Sequence, residues 1–201
     1  SVRQIRSIVR SLRDRDEDVS LVERLRRESS LARTLLGFAP SLLLSVDGRA
    51  LALAGRAEED ELISAVDAAV DPDIADDMVA VVREGLSNVA RHAHASSVTV
   101  DVMLSGVVPG GGADVPPPSG PGAAEPAVEI VCRDDGVGVD PKVTRRSGTA
   151  NMAERARRHG GTFVIGPRAR TDGTRRGTCF TWRVPLTGRP APGRKPGPGQ
   201  N

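Results

Sequence analysis

Glu84, Asn88 and His92 recur at intervals of four in the stretch REGLSNVARHAHAS, residues 83–96. Steps of four advance about 400° around an α-helix, so the three side chains drift only about 40° per step and share one face. A polar line of this kind does not suit ordinary core. Asn offers a neutral oxygen to a hard cation, and Glu can hold water or accept a proton, so the line reads as a magnesium and phosphate edge. A solvated stripe is the plain alternative.

Three further stretches carry compatible chemistry. DDGVG, residues 134–138, places Asp134 at the end of a strand, and Gly136 and Gly138 allow positive φ and close approach of a ligand to bare backbone. Gly148 stands just before a helix expected over 149–159, whose exposed N–H groups and positive dipole end suit a polyphosphate. A Gly-Thr pair opens GTCFTWRVP, residues 177–185, although DGT at 172–174 leaves the register of that pair open. Taken singly, these stretches also suit plain turns and a helix entry.

The elements that must position these residues follow from pattern. Residues 1–12, SVRQIRSIVRSL, carry one apolar helical stripe that wants a partner, and 19–36 form a second amphipathic helix ending near Gly37. SLLLSV, the turn DGR and ALALAG read as a hairpin, followed by a short helix in EEDELISAVDAA. The strongest helix spans DPDIADDMVAVVREGLSNVARHAHA, with Asp73 as candidate cap. SSVTVDVML, AVEIVCRDDG, TFVIGP and TCFTWRVPL alternate as strands, and SGTANMAERARRHGG reads as a helix stopped by two glycines. The order of elements predicts an α+β sandwich of one sheet and one helical layer.

Composition limits the remainder. The 201 residues include 22 Gly, 15 Pro, three Phe, one Trp and no Tyr, so the core must be aliphatic. The 28 basic and 26 acidic residues nearly cancel, so no global field recruits nucleic acid, and the locally basic end from Arg189 reads as a disordered tail over 188–201. Residues 105–127 are so rich in Pro and Gly that they read as a flexible hairpin insertion. Cys132 and Cys179 show no metal spacing, so free thiols in a reducing compartment are expected. No run of about 18 apolar residues occurs, and no membrane contact is expected. The chain opens as if in mid-helix, which predicts a longer parent protein.

In sequence order, the E-x3-N helix, D-x-G-x-G, helix-opening glycine and final G-T strand resemble the ATP-binding domain shared by gyrase, heat-shock protein 90, MutL and sensor histidine kinases. VVREGLSNVARHAHAS and SGTANMAERARRHGG are most similar to segments of the nitrate-sensor and dormancy-sensor type of two-component kinase, and SVRQIRSIVRSL resembles the end of the dimerisation helix. The resemblance covers 1–12 and 17–187 apart from the insertion. It implies a Bergerat-type two-layer α/β sandwich with a mixed, mostly antiparallel sheet: 1–15 as helix end and linker, 16–187 as catalytic domain.

The resemblance also implies roles. Asp134 would accept the adenine amino group, Gly136, Val137 and Gly138 would shape the pocket, and Thr178 would support the base. Asn88 would bind Mg²⁺, Glu84 would hold its water shell or aid proton transfer, and Arg91 or His92 would approach the phosphates; His92 serves equally as a packing group. Gly148 would open the phosphate-facing helix behind a lid from Asp140 to Ser147, with Arg145 and Arg146 as further phosphate contacts. Thr149 departs from the apolar residue usual in relatives. The implied cofactors are ATP and Mg²⁺, and the implied partners are a response regulator and the protein's own dimerisation domain in a homodimer. The implied location is cytoplasmic, the whole protein being membrane-attached or free. Such kinases phosphorylate a histidine on a dimerisation helix. His92, His94 and His159 all fall inside the nucleotide domain, so this chain alone is expected to bind ATP without phosphorylating itself. An anti-sigma-factor-type serine kinase and a degenerate nucleotide-binding scaffold are the alternatives.

Overall fold

The computed structural model describes residues 19–108, 125–138, 147–169 and 175–186. The expected helix at 1–12, the interior of the Pro/Gly stretch, the lid with Arg145 and Arg146, and the tail lie outside them.

Helix α1, Leu21–Leu36, starts where Ser20 Oγ accepts the Glu23 N–H at 3.1 Å and stops at Gly37, whose φ of 79° closes the last turn. Strand β1, Ser41–Val46, turns through Asp47 and Gly48, both at positive φ, into β2, Arg49–Ala50. The expected second strand over ALALAG is cut to those two residues. A 3₁₀ turn over Leu51–Leu53 replaces the rest and buries Leu51.

Helix α2, Arg56–Ala69, leads to α3, Pro72–Asn88. Asp71 occupies the N-cap position and Pro72 the first turn, so Asp73 lies within that turn and is not the cap. From Val89 to Ala93 the helix widens to a π turn, and His94 at φ 48° ends it. A π turn rotates less per residue than an α turn. Glu84 and Asn88 therefore keep their common face, while the line bends before His92.

Strands β3, Val98–Ser105, and β4, Ala127–Asp134, pair antiparallel. Helix α4, Ser147–Arg158, is followed by β5, Thr162–Ala169, and β6, Arg175–Pro185. The six strands run in the order β2-β1-β3-β4-β6-β5, with β1 and β3 parallel and every other neighbouring pair antiparallel. The result is the expected α+β two-layer sandwich. Val98, Val100, Val102 and Leu104 of β3 point alternately into the helical layer and are buried, as are Ile130, Cys132, Trp182 and Val184.

The insertion is shorter than its composition suggests. Asp47 accepts the N–H groups of Gly106 at 2.5 Å and Val108 at 2.8 Å, and Val107 is buried, so 105–108 belong to the folded domain. Both cysteines are free thiols, and burial pushes Cys132 up. Among the described residues no helix is long and apolar enough to cross a membrane.

Fully buried Trp182 fastens α4 to the sheet, its indole N–H donating to Met152 O at 3.1 Å. Trp182→Phe removes that donor and leaves a void, and should cost about 2–4 kcal/mol in chemical denaturation.

Candidate functional site

Strand β4 ends in Asp134, a carboxylate only 4% exposed. Its Oδ1 accepts the N–H of Gly136 at 2.8 Å and of Thr178 at 3.3 Å. Burial raises the Asp134 carboxyl above its ordinary value, and the two N–H groups offset this only in part. The corner is tight because Gly177 lacks a side chain. A methyl group there would stand 2.0 Å from Asp134 O, and Gly177 has a φ of +82°. Gly138 repeats the device, with a φ of +88° and Gly177 O 3.3 Å from where a methyl would be. Gly136 is not among the positive-φ glycines; it contributes a buried N–H instead. Val137, between them, is 69% exposed.

Glu84 and Asn88 are half-buried on α3, Arg91 is exposed in the π turn, and the His92 side chain lies outside the described set. Gly85 seats α3 on the sheet: a methyl there would lie 2.8 Å from the Phe180 ring and 3.6 Å from Cys132 Sγ. Cys132 precedes Asp134 by two residues, so the helix crosses β4 and β6 close to the carboxylate. Asp135 supplies a second tie. Its carboxylate accepts the N–H of Ser96 at 2.8 Å, the Ser96 hydroxyl at 2.6 Å and the N–H of Ser97 at 2.9 Å. The Ser96 hydroxyl, followed by these backbone N–H groups, holds the Asp135 carboxyl far below the carboxylate range. The loop after β4 is thereby pinned to the segment that leaves α3. Among the described residues neither Asn88 nor Arg91 makes a direct hydrogen bond or ion pair to Asp134; the connection runs through Gly85 and Asp135.

Gly148 lies inside the first turn of α4, which starts at Ser147, rather than ahead of the helix. Its bare Cα faces Glu84 so closely that a methyl would fall 1.8 Å from Oε1 and 2.6 Å from the carboxyl carbon. A carboxylate against the positive end of a helix is favourable. The same place suits any other anion that displaces it.

No family model matches the chain. Among solved structures the chain is similar to the histidine kinase domain of the Erythrobacter litoralis EL346 blue-light activated histidine kinase, at 18% identity and TM-score 0.48, over 84% of this chain and 62% of that one. It is similar to the mycobacterial sensor histidine kinase MprB, at 18% identity and TM-score 0.46, over 86% and 97%. It is also similar to the ATP-binding domain of PrrB from Mycobacterium tuberculosis, at 20% identity and TM-score 0.39, over 84% and 96%. The chain thus spans about 62% of the length of the first of these structures. The chemistry of the site rests on this chain's own residues.

Among the described residues no three His, Cys, Asp or Glu side chains cluster as a metal site. A divalent cation at Asn88 and Glu84 would take most of its ligands from water and a bound phosphate, as Mg²⁺ does. Gly85 and Asp135 had no signal in the sequence beyond a glycine inside a helix and a second Asp beside the first; Gly177 was visible only as half of a Gly-Thr pair.

Two glycine substitutions should separate function from folding. Gly148→Ala meets only the end of a flexible side chain and gains helix propensity, so its stability should stay within about 1 kcal/mol of the parent while Glu84 is displaced and ligand binding falls. Gly177→Ala meets backbone at positive φ and should lose at least about 2 kcal/mol. Thermal melts and ligand titrations of both variants check this.

Proposed function

We propose that this chain is the Mg-ATP-binding catalytic module of a two-component sensor histidine kinase. The observation that carries the reading is the buried Asp134 carboxyl with Oδ1 tied to two backbone N–H groups. Oδ2 is then the oxygen to accept the exocyclic amine of a purine, and a donor arriving there relieves the unfavourable burial of the charge. Thr178, Gly136, Val137 and Gly138 border the base. Asn88 supplies an oxygen to Mg²⁺, with Glu84 beside it holding the water shell or taking a proton. This reading assigns the phosphates to the first turn of α4 at Gly148 and to Arg91, with His92, Arg145 and Arg146 as further phosphate contacts. Phosphoryl transfer needs chiefly alignment and charge neutralisation, and bound Mg²⁺ supplies most of the latter.

The γ-phosphoryl acceptor in this reading is a histidine on the protein's own dimerisation helix, in a cytoplasmic homodimer, and a response regulator receives the group next. The nitrate-sensor and dormancy-sensor type of kinase is the subfamily that the motifs around Asn88 and Gly148 favour.

Calorimetric titration of Mg-ATP into the parent chain and Asp134→Asn tests the reading. The raised carboxyl contributes stability below the ordinary carboxylate range and loses it as pH rises through the shifted value, so ionised Asp134 is a net burden at neutral pH. Asp134→Asn should therefore melt no lower than the parent at pH 7 while losing ATP binding. Equal affinity in the two proteins, or no binding by the parent, would remove the proposal.

A further inference from the structure

Among the described residues, the most heavily charged interior point lies away from Asp134. Asp77 on α3 is fully buried, and Arg155, Arg158 and His159 at the end of α4 converge on it. Arg155 and Arg158 bond to its Oδ1. Arg158 Nε donates to Oδ2 at 2.7 Å, and His159 Nε2 stands 2.6 Å from the same oxygen. Burial pushes the Asp77 carboxyl up, but the bonds from Arg158, His159 and Arg155 outweigh it and leave the group below its ordinary value. Asp73 and Glu154 also act on Arg158.

Spacing links this cluster to the nucleotide end. Asp77 precedes Glu84 by seven residues, and Gly148 precedes Arg155 by seven. Seven residues fall about 20° short of two full α-helical turns, so each pair lies on one line of its helix. The two lines face each other in opposite directions: Gly148 meets Glu84 at one end, and Arg155 meets Asp77 at the other. Other contacts hold α4 on the sheet. Trp182 binds Met152 O, and Gly161 lies so near Arg183 O that a methyl there would be 2.0 Å away. These tie α4 to the sheet, while the Asp77 cluster ties its last turns to α3. A buried ion cluster is commonly no more stabilising than apolar packing of the same volume, whereas its geometry specifies one arrangement.

We infer that Asp77 is a positioning residue, which through Arg155, Arg158 and His159 sets the register of α4 along α3 and so keeps the first turn at Gly148 against Glu84, ready for the phosphates. The inference rests on the nucleotide-binding reading above for its consequence, but not for its geometry. Loss of the clamp lets α4 slide while the Asp134 corner, on β4 and β6, is untouched. Polyphosphate recognition should suffer and base recognition should not.

The test compares the parent with Asp77→Asn, Arg155→Gln and Arg155→Lys by titration with Mg-ATP and with adenosine, and by amide hydrogen exchange across Met152–Arg158. Because a misplacement of about 1 Å can lower rates or affinities by large factors, Asp77→Asn should weaken Mg-ATP about tenfold or more. Adenosine affinity should hold within about twofold and exchange in α4 should quicken while β4 stays protected. Arg155→Gln, which leaves Arg158 and His159 in place should Asp77→Asn fold poorly, should show the same pattern more weakly, and Arg155→Lys should recover most of the parent behaviour. Parallel loss of both ligands, or unchanged ATP affinity with unchanged exchange in α4, overturns the inference. A parent that binds neither ligand defeats the nucleotide reading alone; faster exchange in the α4 of Asp77→Asn would still support the register clamp, and unaltered exchange would overturn it.

Discussion

Asp134 carries a carboxyl group into a place where its ionised form is disfavoured, and much of the surrounding chain serves to hold it there. Two backbone N–H groups converge on one of its oxygens, which requires the end of β4 and the start of β6 to meet without a side chain between them. Gly177 permits that contact and Gly138 continues it. The aliphatic strand residues that lead up to the corner are close-packed and buried, as is Trp182.

The helical layer meets this corner through a second set of close approaches. Gly85 lowers α3 onto Phe180 and Cys132, Asp135 captures Ser96 and Ser97, and Gly148 brings α4 to Glu84. Each contact joins residues remote in sequence, so the helix face and the strand end are placed by packing and not by local conformation. Exposed ion pairs such as Arg157 with Glu154 contribute little by comparison, because solvent screens them.

The sequence made the sandwich legible because its strands alternate and its helices carry clean apolar stripes, and the spacing of Glu84 and Asn88 marked one polar helix face. Asp134 and the glycines after it were legible as a cluster for the same reason: few residue types suit a strand that ends at a bare-backbone turn. Other features were hidden. Asp77 and Arg155 lie 78 residues apart, and each looks like a solvated charge on its own helix. The π turn that bends the line before His92 has no marker in VARHA, and Asp73 resembled a cap although Pro72 places the helix start two residues earlier than that cap would. ALALAG alternates weakly enough that burial of Leu51 in a 3₁₀ turn prevails over strand pairing.

The most direct measurement is amide chemical-shift mapping of the chain on addition of Mg²⁺ with a non-hydrolysable ATP analogue. The account predicts large shifts at Gly136, Gly138 and Thr178 around the base and at Gly148 and Asn88 around the phosphates, with β1 and α1 unmoved. Shifts confined to α1 and β1, or none at saturating ligand, would contradict it.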